Sequence, residues 1–362
     1  MERQNSITHL GITNFLECGA LLRRNGLWIV IEGPFTEAQN INNTDIRVYC
    51  PEFYNLPEAA FLEGKAVYEL STEALSQACR EYLKTQDRVD PPLKKASWCE
   101  PEKQDFALAI GQIHGRIERN EIQKAVPVVF ARSKQKVSAS DRAQLLLRLL
   151  NAPENLYVYG FWQGLEGVLG ATPEILFDFD GEVLRTMALA GTCPKSEDHD
   201  RPSLLEDAKE LFEHQLVVED IKNVLSGWGK VQASGPTVLE LPTLCHLKTE
   251  IEVSGVTNPD FGALIEALHP TPALGVAPRA AGYQWMAQLP GQAQRGRFGA
   301  PFAFLSAQEA VCLVGIRNLQ WNDQLAMIGS GCGIVAASEL DREWREVFQK
   351  RLAVKKILGL EV

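Results

Sequence analysis

The sequence has no apolar run of the ~18 residues that a membrane-spanning helix needs. Its first residues, Met1-Glu-Arg-Gln-Asn, lack the basic-then-apolar order of a secretory leader. Its eight cysteines (18, 50, 79, 99, 193, 245, 312 and 332) include no C-x-x-C pair and no histidine partner at zinc spacing. That excludes a disulfide framework and a structural zinc, and it fits reduced thiols in a cytoplasmic protein. Positive charge is scarce too: 36 Lys and Arg stand against 46 Asp and Glu, a net charge of −10. A nucleic-acid partner is therefore not expected, because a phosphate backbone needs clustered cations. There is no internal repeat and no low-complexity tract. An anionic small molecule stays open if local cations or a metal hold it.

What is present is an ordinary globular composition, 45% hydrophobic and 23% charged over 362 residues, enough for two domains or one large α/β unit. Residues 1–100 read as short strands and turns: Gly26–Gly33, Asp45–Cys50, then one or two helices within Glu58–Thr85. No catalytic constellation falls there, so this stretch is expected to be scaffold. Beyond it, Phe106–Asn120 has helical spacing, and Glu121–Arg132 holds a strand with Pro127 at its entry. Asp141–Leu150 is a Leu-rich helix, Asn155–Gln163 an aromatic strand and Val183–Leu189 another strand. Ser203–Trp228 reads as one long helix, with Glu206, Glu213 and Asp220 repeating at sevens on a face of their own.

Near the end of the chain, Leu325–Ile328 feeds a turn with glycines at alternate positions, Gly329, Gly331 and Gly333, where side chains are removed for a close approach to the backbone. A helix is expected from Ser338, an N-cap residue, with Asp341 as a weak capping-box partner. On it Glu339, Glu343, Glu346 and Lys350 share one face. Taken alone, that is a solvated charged face; a second acidic helix upstream makes a site the alternative.

Several motifs in a fixed order resemble the chorismate-utilising enzymes: Ala171-Thr-Pro-Glu174, Leu189-Ala-Gly-Thr192, Asp207-Ala-Lys-Glu-Leu-Phe-Glu-His214, His246-Leu, His269-Pro-Thr-Pro-Ala273, Gly315-Ile-Arg317, Gly331-Cys-Gly-Ile-Val335 and Glu343-Trp-Arg-Glu346 with Lys350. The resemblance covers roughly residues 106–360. It implies an α+β fold of the anthranilate synthase component I type, with antiparallel sheets packed back to back, helices outside and the site in the cleft between halves. Residues 1–100 would be an N-terminal scaffold part of that fold, and 101–362 the chorismate-binding catalytic region. Within the family, Ala190 stands where aminodeoxychorismate synthases carry a nucleophilic lysine. His246-Leu is similar to the isochorismate and salicylate branch, and His269-Pro-Thr-Pro-Ala273 resembles isochorismate synthase.

The resemblance therefore implies Mg²⁺-dependent conversion of chorismate to isochorismate. The rivals are a salicylate synthase and a catalytically silent protein that only binds a ligand. Glu213 and Glu346 match the family's metal-ligand positions, with Glu210 and Glu343 one turn before them able to hold metal-bound waters. Glu174 matches the acid, and its apolar flank Ile175-Leu-Phe177 would raise a carboxyl's pKa by desolvation. The family's base is a lysine five residues before an arginine, but five before Arg132 stands Pro127. Lys124 takes the role if three residues are inserted, and by strand parity it would face the same side as Val126, Val128 and Phe130. Otherwise it is an exposed lysine before a strand. Arg317 and Lys350 suit the substrate's carboxylates, and Gly191, Gly331 and Gly333 could offer backbone donors. Thr192, His246 and Ala273 complete the expected substrate contacts. Ala300 and Ala303 replace family glycines and could narrow the pocket. No glutamine amidotransferase subunit is expected, and the chain is expected to be a monomer or weak homodimer.

Overall fold

Strand alternation sets the layers. In the computed structural model, which describes residues 10–24, 26–38, 46–56, 60–86, 93–195, 204–292 and 294–360, the strand Tyr157–Gln163 is buried on both faces. Tyr159 and Phe161 point to one core, Val158 and Trp162 to another. Pro301–Leu305 behaves alike, with Phe302 and Phe304 on one side and Ala303 and Leu305 on the other. Period-two side-chain alternation thus gives each strand two apolar faces, and a sheet with two apolar faces must be covered twice.

Among the described residues, two large sheets satisfy this. One has eight strands, running from Ala66–Leu70 at one edge to Val128–Ser133 at the other; the second has ten, from Lys230–Ala233 to Thr36–Glu37. Their described pairings are antiparallel. The inward faces meet in a shared core where Tyr159 lies 4.9 Å from Phe302, centroid to centroid. This is the expected back-to-back α+β arrangement. Seven α helices are described: α1 Ile12–Glu17, α2 Thr72–Lys84, α3 Lys103–Glu118, α4 Ala139–Leu149, α5 Ala208–Leu225, α6 Phe261–Leu268 and α7 Leu340–Leu358. Helices α1, α2 and α4 cover the outer face of the eight-stranded sheet, and α5 and α6 that of the ten-stranded one. Helices α3 and α7 pack over a two-stranded ribbon, Lys124–Ala125 with Val276–Ala277. No described helix is long and apolar enough to cross a membrane. Strands before residue 100 enter both large sheets.

Within Glu58–Thr85 one helix forms, α2, within the expected one or two, preceded by the strands Leu62–Glu63 and Ala66–Leu70; residues 57–59 lie outside the described set. Two expectations change. Helix α5 begins at Ala208 because the Asp207 carboxylate caps it, accepting from the backbone N–H of Lys209 and Glu210 at 3.0 and 3.1 Å. Glu206 sits in the preceding 3₁₀ turn, so it does not continue the face of Glu213 and Asp220, and Ser203 is outside the described residues. Helix α7 begins at Leu340, not Ser338. The Ser338 hydroxyl accepts from Val335 N–H inside the preceding turn, and Asp341 pairs with Lys103 instead of closing a capping box.

Phe302 is fully packed between the sheets. Phe302→Ala should lower unfolding stability by ~3–5 kcal/mol in chemical denaturation, because the cavity it leaves lies between two rigid layers.

Candidate active site

Where the two sheets and the ribbon meet, strand ends leave a cavity. Pro173, Glu174, Gly191, Thr192, Glu213, His246, Ala273, Arg317, Gly331, Gly333 and Lys350 line it, with Leu274, Phe298 and Ser330. Gly191 sits at a break in register between Ala190 and Thr192, with φ +79°. A Cβ there would stand 3.1 Å from the Glu210 carbonyl, so glycine lets α5 come close. As a result Thr192 N–H donates to Glu210 Oε2 at 2.8 Å.

The wall opposite is the run Gly329–Gly333, where the strand Ala326–Gly331 ends, and its glycines make room for the protein's own groups. A Cβ on Gly333 would lie 2.1 Å from Glu213 Oε1 and 2.5 Å from the Lys124 Cε. Those two residues form a buried ion pair, Lys124 Nζ to Glu213 Oε1 at 2.9 Å. Lys124 is completely buried and stands behind Gly333 against Glu213. Its position comes from the ribbon with Ala277, not from a strand continuous with Val128–Ser133. The expected shared side fails accordingly: Val126 enters the core under the ten-stranded sheet, while Val128 and Phe130 enter a separate cluster around Phe298.

Helices α5 and α7 bring four carboxylates together, Glu210, Glu213, Glu343 and Glu346. Lys209 Nζ lies 3.0 Å from Glu210 Oε1, 3.7 Å from Glu213 Oε2 and 2.9 Å from Glu343 Oε1. Glu346 pairs with Lys350 at 2.6 Å, and Lys350 Nζ also donates to the Gly331 carbonyl at 2.9 Å. Arg342 reaches Asp207 and Glu210 from outside at 2.9 and 2.8 Å. Burial opposes charge on Glu213, but Lys124 and Lys209 outweigh it and hold its pKa below the usual carboxyl range. Glu343 is pushed the other way, by burial first and then by Glu346.

These residues fit a divalent cation by chemistry. They are hard oxygen donors on rigid helices, and buried Glu343 has its Oε2 without a hydrogen-bond partner while its Oε1 faces the Lys209 ammonium. Their oxygens turn to lysines, and among the described residues no three metal-ligating side chains converge closely enough to hold an ion.

Glu174 differs from that cluster. It is buried where its strand leaves the eight-stranded sheet, and burial pushes its pKa up to about 8 against the pull of Lys124, Lys350 and Arg317. At neutral pH it is a proton donor facing the cavity. Arg317 Nη2 donates to His246 Nε2 at 3.1 Å, so the neutral ring carries its proton on Nδ1 and donates to Thr192 Oγ1 at 3.0 Å. Burial, then Arg317, keeps the His246 pKa well below its ordinary value. His246 is thus a positioned acceptor for Arg317 at the cavity wall.

Of the residues singled out in the sequence, Glu346 and Lys124 stand outside the lining, next to Lys350 and Glu213, and Glu210 and Glu343 lie outside it on Lys209. Ala300 and Ala303 do not narrow the cavity: they are buried in the core on the outer face of the ten-stranded sheet. Two residues escaped notice. Lys209 lies four residues before Glu213, a spacing that brings both to one helix face. Arg295 is completely buried; it stacks 3.4 Å from the Phe53 ring and donates to the carbonyls of Leu274 and Phe298 at 3.0 and 3.1 Å, fixing two cavity walls. No sequence signal separates it from a surface arginine.

The comparisons agree with this geometry. A profile for the chorismate binding enzymes matches residues 58–359, and the chain belongs to that family. A salicylate biosynthesis isochorismate synthase of Pseudomonas aeruginosa is 33% identical over 221 residues, 59% of this chain and 46% of the relative. The isochorismate synthase MenF of Bacillus subtilis is 29% identical over 312 residues, 83% and 65% respectively. The chain thus spans about half to two thirds of the length of these curated relatives in the aligned regions. The solved structure of the menaquinone-specific isochorismate synthase of Escherichia coli shares the fold: TM-score 0.77, 21% identity, covering 96% of this chain and 91% of that one.

Because Glu174 is neutral when folded up to about pH 8 but ionises near the usual 4.5 when unfolded, the wild type loses stability as pH rises between those values. Glu174→Gln has no such dependence. Its melting temperature relative to wild type should therefore climb from about pH 5 to about pH 8 and level off above, as checked by melting across a pH series.

Proposed function

We propose that this chain is a stand-alone, Mg²⁺-dependent isochorismate synthase of the cytoplasm, which adds water at C2 of chorismate and expels the C4 hydroxyl. The observation that carries this reading is a buried carboxyl held protonated to about pH 8, Glu174, facing the same cavity as the guanidinium of Arg317. Among the described residues no carboxylate is ion-paired to Arg317. A dicarboxylate with a hydroxyl leaving group calls for such a pairing of acid and open cation. The isochorismate synthases among the relatives support the reaction, and Ala190 on the cavity wall leaves no lysine there to form an amine adduct.

Glu174 would give its proton to the departing C4 hydroxyl, which leaves as water. Arg317 and Lys350 would receive carboxylates, Arg317 as a planar fork with His246 and the Lys350 carbonyl setting its plane. The backbone around Gly191 and Gly331–Gly333 would let the ring lie close to the walls. Lys124 would take a proton from the incoming water as its free amine; in the ion pair with Glu213 it is an ammonium, so it must first part from Glu213 and give up one proton to solvent. A Mg²⁺ ion held by Glu213 and Glu346, with Glu210 and Glu343 behind them, would supply positive charge for the ring carboxylate.

The test is chromatographic product identification from chorismate with and without Mg²⁺. Isochorismate formed only with Mg²⁺ is expected; salicylate with released pyruvate, or tight binding with no turnover, would replace this reading by one of its rivals. kcat should fall about tenfold per pH unit above about pH 8 as Glu174 ionises, and Glu174→Gln should cost ~10²–10⁴-fold with that limb gone. Glu213→Ala and Glu346→Ala should each remove Mg²⁺-dependent turnover.

A further inference from the structure

Carboxylates of one sign buried together are tolerated only with a cation among them. Here the cation shared by three of them is Lys209, with Lys124 also on Glu213 and Arg342 also on Glu210. The Lys209 Nζ lies 3.0 Å from Glu210, 3.7 Å from Glu213 and 2.9 Å from Glu343, with the side chain 8% exposed. Glu343 is wholly buried, its Oε1 on the Lys209 ammonium and its Oε2 without a hydrogen-bond partner, so it faces little but this charge. Burial alone would favour neutral Lys209, and the surrounding carboxylates reverse that and hold it charged. The lysine stands in the first turn of α5, beside the Asp207 cap and Arg342, which grips Asp207 and Glu210 from the outer side. Its four-carbon stem can swing outward without moving the helix.

We propose that Lys209 is a tethered counter-cation: its ammonium takes the space among Glu210, Glu213 and Glu343 that a divalent metal would need, holds α5 and α7 together in the metal-free protein, and must retract for metal to bind. This rests on the reading of those carboxylates as a Mg²⁺ site. It also accounts for a donor set that fits a cation and yet is turned away from a common point. Lys209 then sets the metal concentration at which the cleft becomes competent, lowering affinity in exchange for a metal-free protein that keeps its walls in place.

The experiment is calorimetric titration of the full chain with MgCl₂, with chorismate present and absent, for wild type, Lys209→Met and Lys209→Arg, alongside metal-free melting. Met keeps the stem and removes the charge. Lys209→Met should bind Mg²⁺ about tenfold or more tightly than wild type, melt lower without metal and regain that loss when Mg²⁺ is added. Lys209→Arg should bind no more tightly than wild type. If Lys209→Met can be recovered only in Mg²⁺, chelator competition gives the same constant. Equal or weaker Mg²⁺ binding by Lys209→Met, or tighter binding by Lys209→Arg, overturns the proposal. Wild type that takes up no Mg²⁺ in either condition overturns the metal assignment itself, before any variant is compared.

Discussion

The ion pair between Lys124 and Glu213 joins more of the molecule than any other single contact at the site. Lys124 comes from the two-stranded ribbon, Glu213 from α5, and Gly333, two residues past the strand Ala326–Gly331, closes over both. Through Glu213 the pair reaches Lys209, and through Lys209 it reaches Glu343 on α7. A side chain at position 333 would collide with it, so the spacing between ribbon, helix and strand depends on that glycine. Charges this deep are stable only when every partner is in place, and removing one leaves the next uncompensated. The cleft is therefore one electrostatic unit.

Within that unit, two carboxyl groups lining the same cavity are driven in opposite directions. Glu213 has ammonium groups as its neighbours and stays ionised; Glu174 lies farther from them, at a buried strand end, and stays protonated. Environment alone separates a carboxylate suited to holding cations from a carboxylic acid suited to giving up a proton.

Much of this could be read in the sequence because the cavity is lined by short motifs at strand ends and helix faces. Ala171–Glu174, Leu189–Thr192, Gly315–Arg317 and Gly331–Val335 all reach it. What could not be read depends on distant partners. Ser338 had the residue type of a cap, but Asp341 found Lys103 and the helix started two residues later. Lys124 was traced through strand parity, whereas Pro127 breaks that strand and the ribbon partner Ala277, more than a hundred residues away, orients it. Lys209 looks like a solvated helix lysine until α7 lies across it. Ala300 and Ala303 took their expected role from the family pattern, while both are packed in the core beyond the ten-stranded sheet, Ala303 turned there by the pleat and Ala300 just before the strand.

Arg317 is the one described non-glycine residue of the cavity wall with a left-handed backbone, φ +55°. An L-residue in that conformation carries ~1–2 kcal/mol of strain that a glycine would relieve. Its carbonyl accepts from Ala171 N–H and its guanidinium reaches His246, so the kink aims the cation while neighbouring strands hold the bend. Random drift toward greater stability would favour glycine at this position and leave a cleft with intact walls and no grip. The molecule retains at residue 317 a flaw in its scaffold, and the flaw points its arginine into the cavity.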